Sequence, residues 1–422
     1  MNPFPIPRGM SRRHFLNHLA GAAAFTVPAL SLTNSLALGA EKLKRSHKSA
    51  ILLWMGGGPP TIDIWDLKPD APTGGPLKPI STAGDVQICE RLPLIAKQMD
   101  KLSVIRSMST READHDRGAY YMRTGYVPNP NVEHPSYGAV VAHEMEPVVK
   151  DLEIPPFVSI GGGSEGPGFL GMAYAPFQVD SSGNVRDLAL PVEAQRMNGR
   201  VALLDAVESN FISSRKGGVA EEHAKVVRKA MSLLTSQQMA AFQVDKEPQA
   251  MREKYGATGF GRSCLLARRL VEAGVPFVEV DFGGWDLHQN CFDRLDQKLP
   301  EMDQAMGALV EDLAQRGLWN DTVVLWMGEF GRTPRINGDT GRDHYARAWS
   351  AAIGGGGLKG GLAVGATSAD GSRVETEPYS AEDLMATVIQ ALGLSLDTTF
   401  TSTNGRPMKI AGGGKVIRDL FA

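Results

Sequence analysis

Short runs of consecutive apolar residues, each stopped by glycine, proline or serine, recur along this chain. Ser49–Met55 (SAILLWM) is one, and it stops at Gly56-Gly57-Gly58-Pro59-Pro60. Leu102–Met108, Pro156–Ile160, Val275–Phe282, Thr322–Met327 and Trp349–Ile353 repeat the pattern. A strand with one wet face alternates apolar and polar positions, so unbroken runs predict strands buried on both faces.

Between them, apolar residues spaced three and four apart predict helices over 91–100, 135–145, 221–244, 261–273, 293–316 and 381–392. Gly274 and Gly317 follow two of these stretches and read as helix caps leading into the next strand. Met and aromatic residues between Met302 and Leu318 fall at helical spacing and read as core. Strand and helix in alternation predict an α/β fold: a mostly parallel central sheet with helices on both faces. Residues 191–255 are polar and helix-rich, and read as an insertion or cap on that sheet.

The first forty residues break the pattern. They carry Arg8, Arg12 and Arg13, no acidic residue, and a weak apolar stretch from Leu19 to Leu38 that Pro28 and several polar residues interrupt. No clean run of about 20 apolar residues survives to span a membrane. Ser11-Arg12-Arg13-His14-Phe15-Leu16 resembles the twin-arginine export signal. The expectation is a leader over residues 1–40, cleaved near Ala37-Leu38-Gly39-Ala40, and one domain over 41–422. The mature chain would then be periplasmic or in the cell envelope, with no stable membrane span.

Composition narrows the partners. The chain has 44 Lys+Arg against 47 Asp+Glu, 42% hydrophobic and 22% charged residues among 422. That is a globular chain with a core, and without a basic tract nothing recommends nucleic acid. Glycine stands at 47 residues, above the usual roughly 7%, so tight loops are numerous. Cys89, Cys264 and Cys291 are too few and too scattered for a disulfide framework or a thiolate metal site.

Ligands of an open parallel sheet bind outside the carboxyl ends of its strands. Those ends carry Asp63 and Asp66 after the first run, Gly283-Gly284-Trp285-Asp286-Leu287-His288 after Val275–Phe282, and Gly328-Glu329-Phe330-Gly331-Arg332 after Thr322–Met327, with Gly341-Arg342-Asp343-His344 close behind. Carboxylates gathered at one edge repel one another unless a cation neutralises them. Oxygen and imidazole donors together suit zinc, manganese or magnesium. Asp63, Asp286, His288, Glu329, Asp343 and His344 are therefore candidate ligands for one or two divalent ions. Arg332, Arg335 and Arg342 are candidate anion contacts, because a guanidinium fork matches phosphate or sulfate. Gly161-Gly162-Gly163-Ser164-Glu165-Gly166 fits a dinucleotide fingerprint in letters only: Pro167 follows, and no helix starts there to face a pyrophosphate.

The segments around Asp63, Asp114-His115-Asp116-Arg117-Gly118 with Arg123-Thr124-Gly125, Gly284-Trp285-Asp286-Leu287-His288, Met327-Gly328-Glu329-Phe330-Gly331-Arg332-Thr333-Pro334 and Gly341-Arg342-Asp343-His344 together resemble domain of unknown function family 1501. That family is abundant in planctomycetes and is grouped with the alkaline phosphatase and sulfatase superfamily. The resemblance implies an alkaline phosphatase-like fold and a metal-dependent hydrolase of phosphate or sulfate esters, with an anionic ester or sulfated polysaccharide as substrate. It implies metal-ligand roles for Asp63, Asp286, His288, Glu329 and His344. Nine residues before Thr124, where sulfatases place the nucleophile, stands His115, not Ser, Thr or Cys. His115 is thus a candidate ligand, nucleophile or base, alongside Arg332 and Arg342 as catalytic candidates; Thr61 is the nearest hydroxyl to the first strand's end. The rival expectation is a non-catalytic envelope binding or assembly protein that keeps the fold.

Overall fold

The computed structural model describes residues 47–183 and 236–422, together with isolated positions between them. The leader expected over 1–40 and most of the insertion expected over 191–255 lie outside the described residues. His47–Ala422 is one compact unit.

Eight strands build the central sheet: β1 (Ser49–Trp54), β2 (Leu102–Met108), β3 (Phe157–Ile160), β4 (Phe177–Val179), β5 (Phe277–Asp281), β6 (Thr322–Met327), β7 (Trp349–Gly355) and β8 (Ala363–Val364). Their order across the sheet is β8-β2-β7-β6-β1-β5-β3-β4. Every neighbouring pair is parallel except those of β7, which runs antiparallel to both β2 and β6. The expected strands are present. The reversal of β7 follows from the chain between it and β6: residues 328–348 contain no helix to carry a crossover, so the chain returns alongside.

Burial explains the unbroken apolar runs. Ile51 and Leu53 of β1 enter a core with Val278, Val280, Val324 and Trp326, while Ala50, Leu52 and Trp54 enter a second core with Phe277, Val323, Leu325 and Met327. Helices α6 (Gly259–Glu272) and α7 (Cys291–Gln315) cover the first face. Helices α4 (Tyr137–Met145) and α8 (Ala381–Ala391) cover the second. With both faces dry, alternation has no use. Met302 and Met306 are fully buried, Gly274 and Gly317 take positive φ beyond α6 and α7, and the three cysteines are buried and free.

Differences lie in short elements. Only α2 (Pro93–Ala96) forms within 91–100. The described end of the insertion holds two short 3-10 helices, Gln237–Phe242 and Val244–Lys246, and α5 (Gln249–Tyr255). Two helices bear on the site. α1 (Thr61–Ile64) follows β1, and α3 (His115–Thr124) is capped by Asp114, whose side chain accepts from the Arg117 N–H, and ends at Gly125 with φ +74°. Among the described residues, no helix is long and apolar enough to cross a membrane.

Candidate metal centre

β1, β5 and β6 end in register, Trp54 opposite Asp281 and Met327, so the loops that follow them rise from one edge. Gly57 must be glycine: its φ is +112°, and an added Cβ would lie 2.5 Å from the Asp286 nitrogen. Gly341 likewise passes so close to the His288 carbonyl that a Cβ would lie 1.8 Å from it. A two-stranded ribbon, Gly331–Arg332 against His344–Tyr345, sets His344 opposite Arg332. α3 arrives from the other side, with His115 as its first residue.

Three imidazoles meet there in the same way. The His115 Nδ1 lies 2.6 Å from Glu329 Oε1, the His288 Nδ1 2.9 Å from Asp343 Oδ1, and the His344 Nδ1 2.7 Å from the Ala113 carbonyl. Each partner accepts, so each Nδ1 carries the hydrogen and each Nε2 presents a lone pair when the ring is neutral. The three Nε2 atoms converge on one oxygen: Asp286 Oδ1 stands 3.3 Å from that of His115, 3.0 Å from that of His288 and 3.3 Å from that of His344. The Nε2 atoms of His288 and His344 are themselves 3.0 Å apart. Two lone pairs at that distance repel unless a proton or a cation lies between them.

The donor set fits a divalent ion. His115, Asp286 and His344 offer ligand atoms within 4.8 Å of one another. His115 Nε2 and Glu329 Oε2 are buried without a hydrogen-bond partner. An imidazole tied through Nδ1 to a carboxylate or carbonyl is the arrangement that orients histidine for a metal. Electrostatics agree. The Glu329 hydrogen bond, with help from Asp286, raises the His115 pKa against partial burial, and the carboxylates that hold a proton there attract any cation. Burial lowers the His344 pKa against the Ala113 hydrogen bond. Desolvation opposes the Asp286 charge, but the Arg332 hydrogen bond and charge bring its pKa down to about 2. His288 holds Asp343 below its ordinary value.

The remaining candidates have other partners. Asp63 is buried and bound in a fork by Arg342, with Nε to Oδ2 at 2.7 Å and Nη2 to Oδ1 at 2.8 Å. Burial raises its pKa and Arg342 opposes the rise. Arg342 also donates to the carbonyls of Thr333, Pro334 and Thr73. Arg332 donates to the carbonyls of Gly57, Gly58 and Arg342 as well as to Asp286. Both guanidinium groups are buried and bind the protein itself, while Arg335 is exposed. Glu329 Oε1 accepts from His115 and from the Gly57 N–H. Asp66 pairs with Lys68. Thr61 is buried, and its hydroxyl accepts from the Ser350 N–H. No helix follows the glycine loop at 161–166 until a single turn at Gly168–Leu170.

Sequence reasoning missed the Ala113 carbonyl, the Gly57 amide and Asn337, whose side chain donates to the His288 carbonyl and to Asp343. Two of these are backbone atoms with no side-chain signature; Asn337 lies in a turn, where asparagine is ordinary.

Solved structures similar to the chain include the PsFucS1 sulfatase from Pseudoalteromonas sp., with 12% identity, TM-score 0.40, and coverage of 87% of this chain and 72% of that one. A protein in the alkaline phosphatase superfamily from Vibrio parahaemolyticus has 11% identity, TM-score 0.38, and coverage of 89% and 71%. The alkaline phosphatase from the Antarctic bacterium TAB5 has 12% identity, TM-score 0.36, and coverage of 83% and 99%. No curated protein matches the chain. Over residues 47–421 the chain matches the family described as "Protein of unknown function (DUF1501)", and it belongs to that family.

Proposed function

We propose that the chain is a metal-dependent hydrolase of phosphate or sulfate esters, exported to the periplasm or cell envelope. The observation that carries the reading is the convergence of three Nε2 atoms, each with its Nδ1 hydrogen tied down, on Asp286 Oδ1. In this reading His115, His288, His344 and Asp286 hold one divalent ion. Three nitrogens and one oxygen favour zinc over manganese or magnesium. Glu329 and Asp343 orient His115 and His288, Arg332 orients Asp286, and the Asp63–Arg342 pair fixes the ribbon behind them.

A divalent cation supplies the positive charge that an anionic ester and its transition state need. The rest falls to the protein. The Asp286 and His288 side chains are 48% and 42% exposed, so the centre faces solvent and an ester can reach it. The N-terminus of α3 adds partial positive charge beside His115. With Thr61 buried and a histidine opening α3, water is the nucleophile: its oxygen bonds to phosphorus or sulfur as the ester bond breaks, and the departing alcohol takes up a proton. The superfamily resemblance and Arg12-Arg13 support, respectively, the ester chemistry and the export.

The test is metal analysis of protein purified without chelator, with turnover on aryl phosphates, phosphodiesters and sulfates, for wild type and His115→Ala. Bound metal and turnover in wild type, both lost in the variant, is the expected result. Metal retained with turnover lost would make His115 a base or nucleophile. A metal-loaded wild type inert on every ester would return the protein to the envelope binding or assembly reading.

A further inference from the structure

Asn337 lies in the loop that joins the two strands of the ribbon, and its side-chain amide is saturated. The Oδ1 accepts from the N–H groups of Asp339 at 3.0 Å and Gly341 at 2.9 Å, which closes the loop upon itself. The Nδ2 donates to the His288 carbonyl at 3.0 Å and to Asp343 Oδ1 at 3.2 Å. Two N–H groups on one side of the amide and two oxygens on the other fix which end is nitrogen. Neither of the nearest small polar side chains could do the same: aspartate has acceptors alone, and a serine hydroxyl has a single hydrogen.

The donor half of the amide reaches what the centre needs held. His288 keeps its Nε2 on Asp286 Oδ1 while its Nδ1 hydrogen stays on Asp343 Oδ1, 2.9 Å away. The Asp343 side chain is 56% exposed, and water competes for an exposed carboxylate. Asn337 restrains it by binding the same oxygen that His288 uses, and it holds His288 a second time through the backbone carbonyl. The backbone is built for this contact. Gly341 passes the His288 carbonyl where a Cβ would not fit, the Arg342 N–H donates to the Leu287 carbonyl, and the N–H groups of Asn290 and Cys291 donate to the carbonyls of Asp339 and Thr340. Thr340 takes φ +55°, a left-handed conformation that a β-branched residue keeps only where its surroundings enforce it. The Asn337 Oδ1 bonds, to the residues on either side of Thr340, supply that enforcement.

We propose that Asn337 is a positioning residue of the metal centre: it locks the Asp343 carboxylate and the His288 backbone in the relation that aims His288 Nε2 at Asp286. The proposal rests on the ester-hydrolase reading only for the cation that the aimed imidazole serves. Closing the loop needs the Oδ1 half of the amide, positioning needs the Nδ2 half, and one substitution separates the two.

Asn337→Asp keeps an acceptor for the N–H groups of Asp339 and Gly341, but it sets a carboxylate oxygen against the His288 carbonyl and the Asp343 carboxylate. Zinc titration of the full chain against a competing chelator should show binding weakened about tenfold, opposite in sign to what an added negative charge does for a cation. Asn337→Ala should weaken binding as well. Zinc bound by Asn337→Asp as tightly as by wild type, or more tightly, would overturn the proposal and leave Asn337 as a loop-closing residue. Urea titration without metal gives a second readout. Asp343→Asn removes the facing charge, so it should raise the unfolding midpoint in the Asn337→Asp background and not in wild type. Equal shifts in the two backgrounds would show that Asn337 does not hold Asp343, and would also overturn the proposal. Wild type that takes up no zinc, with the midpoints as expected, would defeat the metal-dependent hydrolase and leave Asn337 holding Asp343 and His288.

Discussion

Two groups of charged side chains stand a few residues apart at one edge of the sheet, and they are built in opposite ways. Asp63 and Arg342 face each other in a complete fork, with side chains 2% and 0% exposed, and the spare N–H groups of Arg342 go to carbonyls. Asp286 and its three imidazoles are partly open to solvent, and their Nε2 atoms point at one oxygen and at one another. In the first group each charge is closed in by the other; in the second Asp286 has Arg332, while the imidazole Nε2 atoms face one carboxylate oxygen and one another, an arrangement that fits a cation. The same residue types therefore form a closed scaffold in one place and a candidate ligand set in the other, and hydrogen-bond saturation separates the two.

The largest expected effect tests the scaffold. Asp63→Ala leaves the Arg342 charge buried and unpaired, and losing one member of such a pair costs about 3–5 kcal/mol. Asp286→Ala should cost metal-free protein less than that, because the Asp286 side chain is 48% exposed where Asp63 is buried, so water already screens its pairing with Arg332. Denaturant titration of the two variants without metal measures both values. Equal losses would erase the distinction.

Metal removal tests the ligand set. At a free-ion concentration of a hundred times Kd, binding to the native state alone adds about 2.7 kcal/mol. Stripping with a chelator should lower Tm, and adding zinc should restore it. His344→Ala and Asp286→Ala should show neither response, whereas any Asp63 variant that still folds should keep both. A wild type whose Tm ignores zinc, manganese and magnesium would make the cluster structural.

The sequence patterns carried far enough to place this edge. The unbroken apolar runs of β1, β5 and β6 located the strand ends, and reading only those ends brought Asp286, His288, Glu329 and His344 forward. His115 emerged from a count back from Thr124. Role was harder to read than position. Asp63 and Asp286 both follow a buried strand, and no local pattern tells which one an arginine will close over, because Arg342 and Arg332 reach them from more than forty residues away. The antiparallel course of β7 was equally hidden, since a doubly buried strand has the same composition in either direction. The ribbon that causes the reversal is only two residues long on each side, too short for any periodicity.

A smaller effect separates ligands from the groups that aim them. Asp343→Asn and Glu329→Gln keep the volume but weaken the acceptors at the Nδ1 atoms of His288 and His344's neighbour His115. Loss of such an orienting partner typically weakens metal binding about 10- to 100-fold. Zinc titration against a competing chelator reads this, and both variants should still load at high zinc. If either fails to load at all, that carboxylate is itself a ligand, and Glu329, whose Oε2 is buried without a hydrogen-bond partner, is the one to watch.

The smallest expected effect comes from Asp114, which touches neither group. Its side chain accepts from the Arg117 N–H at 3.1 Å and so closes the first turn of α3, whose first residue is His115. Replacing an N-cap aspartate by alanine costs about 1 kcal/mol, and Asp114→Asn should restore most of it. The fraying should be felt at the metal as well, because His115 must hold its Nε2 toward Asp286 from a loosened turn. If the whole cost were passed on, zinc affinity would fall about fivefold. Gly118, one turn further on, packs against Glu329 and Phe330 closely enough that a Cβ would lie 3.2 Å from each, and this contact should hold the helix in place and limit the loss. A drop in stability with unchanged zinc affinity would show that His115 is positioned by Glu329 and Phe330 alone, with the cap serving only the helix.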